Sequence, residues 1–173
     1  MPSSYTSDAI LILRAMNEIG YKPKAIMAQA AGFQEQDFLT AVGPLAEGVM
    51  SRSSFASDAV KARPAIPTVN ALYKAKSGKD LNDNTARQVT AVQVLADAIN
   101  RAASTDPEAI RKALVATDVP GDQLIVPWKG VKFDETGQNI EATPVIQQIQ
   151  GGVYRTIYPF DVAAAPAKWN LGH

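Results

Sequence analysis

The sequence predicts an α/β fold with helices and strands alternating along a parallel sheet. Three observations carry that reading. The first fifty residues alternate helix, strand, helix, strand. Three amphipathic stretches between residues 64 and 116 read as helices. Two strand-like runs flank the pair Gly151-Gly152 near the end. Alternation of this kind is the pattern of α/β folding. The length of 173 residues suits one domain or two small lobes and allows a real core.

The elements follow in order. Ala9–Ile19 places Ala9, Ile12, Leu13, Met16 and Ile19 on one helical face. Ser7 or Thr6 can cap its start, Asp8 suits the positive end of the dipole, and Gly20 suits a left-handed stop. Lys24–Ala28 is a short apolar run after a proline, read as a strand. Gln29–Gln34 is a loop, Glu35–Val42 a short helix stopped by Gly43-Pro44, and Gly48–Met50 a second strand. Ser51–Lys61 is polar and aperiodic, a connection.

Pro64–Ser77 reads as a helix ended by Gly78, with its prolines confined to the first turn. Asn82–Thr85 reads as a turn and cap. Thr85–Ala103 is a helix with Val89, Val92, Leu95, Ala96 and Ile99 as its predicted buried stripe. Asp106-Pro107-Glu108 starts another helix, with Asp as cap, Pro at the first position and Glu in the first turn, running to about Ala116. Gly130–Phe133 is a strand, followed by a turn at Asp134–Gly137. Val145–Gln150 and Val153–Tyr158 form a hairpin around Gly151-Gly152. The last stretch, 161–173, has no period and reads as a tail.

Charge and composition exclude several functions. Seventeen basic residues balance seventeen acidic ones, which leaves no surplus for phosphate neutralisation or a polybasic membrane contact. There are no cysteines, so disulfides, thiolate metal sites and Cys nucleophiles are out. The one histidine is the terminal His173, which argues against Ser-His-Asp catalysis and His-based metal sites. Residues 1–8 lack the basic and apolar regions of a signal peptide. No phosphate loop, dinucleotide fingerprint or EF-hand spacing is present. The carboxylates Asp80 and Asp83 with Asn82 and Asn84 read as a turn and cap rather than a cation loop. Asp134-Glu135 sits in a hairpin turn, where solvent leaves both carboxylates ordinary. Trp128 and Tyr158 read as packing anchors rather than cleft aromatics. No cofactor is expected. From the residues alone the reading stops at an α/β protein without visible catalytic apparatus.

A family resemblance takes it further. The stretch TSDAILILRAMNEIGYKPKAI, then AQAAGF and AEGVMSRSSF, resembles the second half of a type I periplasmic solute-binding protein. TARQVTAVQVLADAINRA, TDPEAIRKALVATD and GVKFDETGQN continue the match in the same order. The branch resembled is the leucine/isoleucine/valine-binding family of ABC importers. Over residues 3–160 the resemblance implies two flavodoxin-like lobes, incomplete here because parts of both are present. It implies that residues 1–52 belong to the second lobe, 53–136 to the first, and 143–160 to strands crossing back.

The resemblance also implies a ligand site. Tyr5 stands where such proteins carry a tyrosine against the solute, and Ala30 where amino-acid binders carry an acid for the solute's ammonium. A buried ammonium without a counter-charge costs several kcal/mol, so the implied solute is a small carboxylic acid without an α-amine, aromatic acids included, or another neutral small molecule. Gln29 is a hydrogen-bonding candidate, and Arg87 a candidate partner for a carboxylate. The implied setting is the periplasm, with an ABC permease as partner of the intact parent. A chain holding parts of two lobes is also expected to self-associate as a homodimer, by exchange of the hairpin at 143–158. The alternatives are a sensory or regulatory ligand-binding domain of the same fold and a flavodoxin-like enzyme.

Overall fold

The computed structural model describes residues 1–169. The chain divides into two compact units, one of residues 1–59 with those from 145 onward and one of residues 60–144.

The first unit opens with α1 (Thr6–Glu18), whose buried residues are Ala9 and Leu13. Ile19 follows α1 and is exposed, so the predicted stripe is covered only over its first three turns. Next come β1 (Met27–Ala28), α2 (Gln36–Val42) and β2 (Met50–Ser53). The hairpin β5 (Val145–Gln150) and β6 (Val153–Tyr158) completes a four-stranded sheet in the order β1-β2-β5-β6. β1 runs parallel to β2, with Met27 opposite Met50; β5 is antiparallel to β2 and to β6. Phe33 and Phe38 meet edge to face, with ring centroids 5.3 Å apart, in a core that includes Leu13, Val42, Val49 and Ile149. Burying each of those rings stabilises by roughly 2–3 kcal/mol.

Two strands differ from expectation. The strand predicted at Lys24–Ala28 is reduced to Met27–Ala28, because Lys24 and Ala25 lie exposed beyond the end of the ladder. The strand predicted at Gly48–Met50 is instead Met50–Ser53, so the supposed connection begins as sheet. Ser51 and Ser53 are buried there, and the Ser53 hydroxyl donates to the Phe55 carbonyl at 2.8 Å. Polar residues with internal partners can occupy a central strand without penalty.

The expected tail is likewise corrected for its described part. Ala164 N–H donates to the Thr156 carbonyl, and Gln148, with no exposed surface, bonds both the N–H and the carbonyl of Lys168 at 2.8 Å. Gln150 donates to the Pro166 carbonyl at 2.9 Å and to Gln148 Oε1 at 2.7 Å. Residues 164–168 are thus strapped onto β5 by two inward-facing glutamines. His173 lies outside the described residues.

The second unit holds α3 (Ile66–Ser77), α4 (Asp83–Ala102), α5 (Pro107–Val115) and a two-stranded ribbon. The ribbon pairs β3 (Asp118–Pro120) with β4 (Gly130–Lys132); β3 is absent from the sequence reading because its own Pro120 and the Gly121-Asp122 that follows resemble a loop. α4 starts two residues earlier than predicted, since Asn82 and Thr85 form a reciprocal capping box. α5 starts where predicted, with Asp106 accepting from Ala109 N–H at 2.9 Å.

The α4 stripe is the main correction in this unit. Its buried residues are Ala86, Thr90, Val94 and Ala98, whereas Val92 is 67% exposed and Leu95 44%. The helix carries two apolar rows, and the row of smaller residues is the covered one.

The turn at Asp134 is built by its own carboxylate, which accepts from the Thr136 hydroxyl and from the N–H groups of Thr136 and Gln138. The Thr136 hydroxyl, then the Gln138 N–H, hold this carboxyl below its ordinary range. A carboxylate so occupied is a turn-builder, not a proton donor. Tyr158 packs edge to face on Phe160 and remains half exposed. The Trp128 carbonyl receives the Arg63 guanidinium at 2.7 Å.

Candidate functional site

The best-formed candidate lies in the first unit, where the chain leaves the carboxyl end of β1. Ligands of open α/β sheets gather at such strand ends. Two short segments meet here. Gln29 N–H donates to the Pro2 carbonyl at 2.8 Å, and Gly32 N–H to the Ser4 carbonyl at 3.3 Å. Ser3 and Gln29 form a parallel bridge. The start of α1 is therefore tied to the loop that follows β1.

Gly32 makes this approach possible. A Cβ at that position would lie 2.4 Å from the Tyr5 carbonyl carbon and 2.5 Å from the Ser4 oxygen. Beneath the loop, the Phe33 ring is fully buried. Beside it, the Tyr154 hydroxyl donates to the Glu35 carbonyl at 3.3 Å. Burial, then the nearby Glu35 carboxylate, pushes the Tyr154 phenol well above its usual range, so it stays neutral.

Three of the four predicted site residues stand in these two segments. Tyr5 caps α1 from an extended conformation with no side-chain cap bond, and its ring is 77% exposed. Gln29 is half-buried at the bridge. Ala30 has φ 75° and ψ 167°, a region almost reserved for glycine, and such strain costs about 1–3 kcal/mol. Segments 3–5 and 29–34 contain no charged side chain. The first acid beyond them is Glu35, at the start of α2.

Replacing Ala30 by glycine is expected to stabilise the protein by about 1 kcal/mol, the strain relieved less the added freedom of the unfolded chain. Urea unfolding monitored by circular dichroism measures it. A loss of stability would show that the alanine conformation is unstrained.

The sequence of a periplasmic-binding-protein model matches this chain over residues 1–152. The chain belongs to the periplasmic binding protein family. Its relatives include Leu/Ile/Val-binding protein homolog 8 of Brucella abortus, 32% identical over 98% of this chain and 43% of its own length. Homolog 7 of Brucella suis is 31% identical over 95% of this chain and 41% of its own. Among solved structures, a leucine-binding protein LivK of Thermotoga maritima superposes with a TM-score of 0.72 at 25% identity, covering 89% of this chain and 42% of LivK. A Streptococcus pneumoniae LivJ solved with isoleucine shares the fold at 18% identity and a TM-score of 0.67, covering 88% of this chain and 41% of its own. This binding-protein chain thus spans less than half the length of the relatives it matches.

The fourth predicted residue of this family member, Arg87, lies in the other unit. It stands one turn into α4, where its guanidinium donates back to the Asp83 carboxylate at 2.9 Å and to the Asn84 side chain. That pairing makes it a helix-start residue engaged with its own turn.

Two residues of the site went unread in sequence. Gly32 was visible inside AQAAGF, but a glycine in a loop does not announce a close backbone approach. The Ser4 hydroxyl is buried and has no hydrogen-bond partner among the described residues, a feature only the fold reveals.

Proposed function

We propose that this chain is the solute-binding component, in part, of an ABC importer of the branched-chain-amino-acid type, and that its solute is a small carboxylic acid lacking an α-amine. The observation that carries the solute class is Ala30. It stands at the carboxyl end of β1 with no acidic side chain in the segments beside it. An α-ammonium brought there loses water without gaining a counter-charge, at a cost of several kcal/mol. Tyr5 supplies an exposed aromatic face and Gln29 a neutral hydrogen-bonding group.

The role is binding rather than turnover, in the periplasm, with a membrane permease reading the closure of two lobes. Residues 1–52 and the hairpin of 143–160 belong in this proposal to the second lobe, and 53–136 to the first. Relatives named for leucine, isoleucine and valine support the transport role, and the alanine at position 30 is the ground for proposing a solute without an α-amine.

The deciding experiment uses a chain of the relatives' full length that carries this sequence. Calorimetric titration with 4-methylpentanoate and with leucine, which differ by the amine, is expected to give binding for the first alone. Installing the acid, Ala30→Glu, is expected to weaken 4-methylpentanoate and to admit leucine. Tight leucine binding by the unsubstituted protein would overturn the assignment.

The 173-residue chain is proposed to self-associate as a homodimer, through the exposed α4 row of Val92, Leu95 and Ile99 or by exchange of the 143–158 hairpin. Light scattering at micromolar concentration is expected to give twice the monomer mass. Val92→Glu with Leu95→Lys is expected to restore a monomer if the helical row is the contact, and to leave a dimer if the hairpin is exchanged. A monomeric unsubstituted chain would sink both routes.

A further inference from the structure

A recess lies in the first unit, at the amino ends of β1 and β2, at the opposite end of these strands from Gln29 and Ala30. Its volume is about 180 Å³. Leu13 and Met16 of α1, Ile26 before β1, Leu45 after α2 and Val49 before β2 form its apolar lining. Lys22 and Lys24, on either side of Pro23, line it as well.

The charges are unbalanced. Two lysines stand against one acid in the lining, Glu47, whose carboxylate is held in place by the Gly151 N–H at 2.8 and 3.1 Å. Lys22 and Lys24 make no ion pair or hydrogen bond among the described residues. The site therefore offers a concave, largely apolar interior with two unpaired ammonium groups at its edge. That combination selects an amphipathic anion, with its hydrocarbon inside and its charge outside. The size fits a short molecule, since an apolar cavity of about 150 Å³ suffices for benzene.

We propose that this recess binds a short-chain aliphatic monocarboxylate, with the chain seated on Leu13, Ile26 and Val49 and the carboxylate held by Lys22 and Lys24. The site is separate from the one around Ala30 and does not depend on it. Burial of four or five methylenes supplies the attraction, at about 0.8 kcal/mol each before the costs of association. The lysines set the sign of the head group more than the affinity, because both remain exposed.

The test is heteronuclear NMR of the 173-residue chain titrated with hexanoate, hexanol and hexylamine. Hexanoate is expected to give saturable shifts centred on Met16, Ile26 and Leu45, and hexylamine none. The exposed-site variant Lys22→Gln with Lys24→Gln is expected to weaken hexanoate about tenfold while leaving the fold intact. Leu45→Arg, which puts a bulky cation into the recess, is expected to abolish the shifts. The proposal is overturned if hexylamine shifts the same residues as strongly, if the lysine variant binds hexanoate unchanged, or if the shifts centre on Gln29–Gly32.

Discussion

Replacing Gly32 by alanine is expected to cost the protein about 3 kcal/mol, the upper range for forced overpacking. The added methyl meets backbone, not a flexible side chain: the Tyr5 carbonyl carbon at 2.4 Å and the Ser4 and Tyr5 oxygens at 2.5 Å. Backbone can yield only by separating the start of α1 from the loop after β1. That breaks the Gly32-to-Ser4 hydrogen bond and moves Tyr5 away from Gln29 and Ala30. Gly20→Ala is the control. Its added methyl meets nothing within 4 Å, and only the left-handed backbone at φ 67° opposes it, a cost of about 1–2 kcal/mol. Urea midpoints of the two variants compare them directly. Equal losses would show that the contact between the two segments carries no weight of its own.

The second large effect is expected at Gln148. Changing it to leucine keeps bulk but leaves the N–H and carbonyl of Lys168 without their partner, and frees Gln150 of one acceptor. Buried polar groups left unmatched cost about 1–3 kcal/mol each, and partial exposure of the strap limits the total to about 3 kcal/mol. Deleting the chain from residue 164 onward removes the same bonds from the other side. The double change is therefore expected to cost clearly less than the sum of the two, the mark of shared partners. Strict additivity would mean that the strap and the glutamine act independently.

The elements most legible in sequence were those with local signals. Asp106-Pro107-Glu108 declares a helix start by its own chemistry, and Gly151-Gly152 declares a reversal whatever surrounds it. β2 is hard to read because Met50–Ser53 reads M-S-R-S, and only the fold shows that both serines are buried and that the Ser53 hydroxyl is held by the Phe55 carbonyl. α4 misled for a related reason. Its composition permits two buried rows, and the choice between them depends on what lies alongside: Gln93 reaches the Gln123 carbonyl and Arg101 the Ala113 carbonyl, so α5 and the following loop cover the Ala86–Ala98 row. At the candidate site, the family resemblance points to Tyr5, Gln29 and Ala30, and the structure ties the two segments that carry them together. The backbone strain at Ala30 and the orphaned hydroxyl of Ser4 arise from tertiary approach and leave no pattern in the string of residues.

The division of the chain has a kinetic consequence. Residues 60–144 form one uninterrupted unit, while the sheet of the other is assembled from the segments before and after it, with Ser53 opposite Val145. The continuous unit can nucleate on near neighbours. The discontinuous one must first bring together strands separated by the whole insertion, an entropic delay of the kind that slows folding. Ala59 and Val145, the residues at which the chain leaves and re-enters, belong to one apolar cluster. Shortening the stretch between them from about 85 residues to about 5 would lower the closure penalty by about 2.5 kcal/mol. The insertion thus sets the order of assembly: the middle of the chain is able to fold first, and the sheet bearing Gln29 and Ala30 closes last.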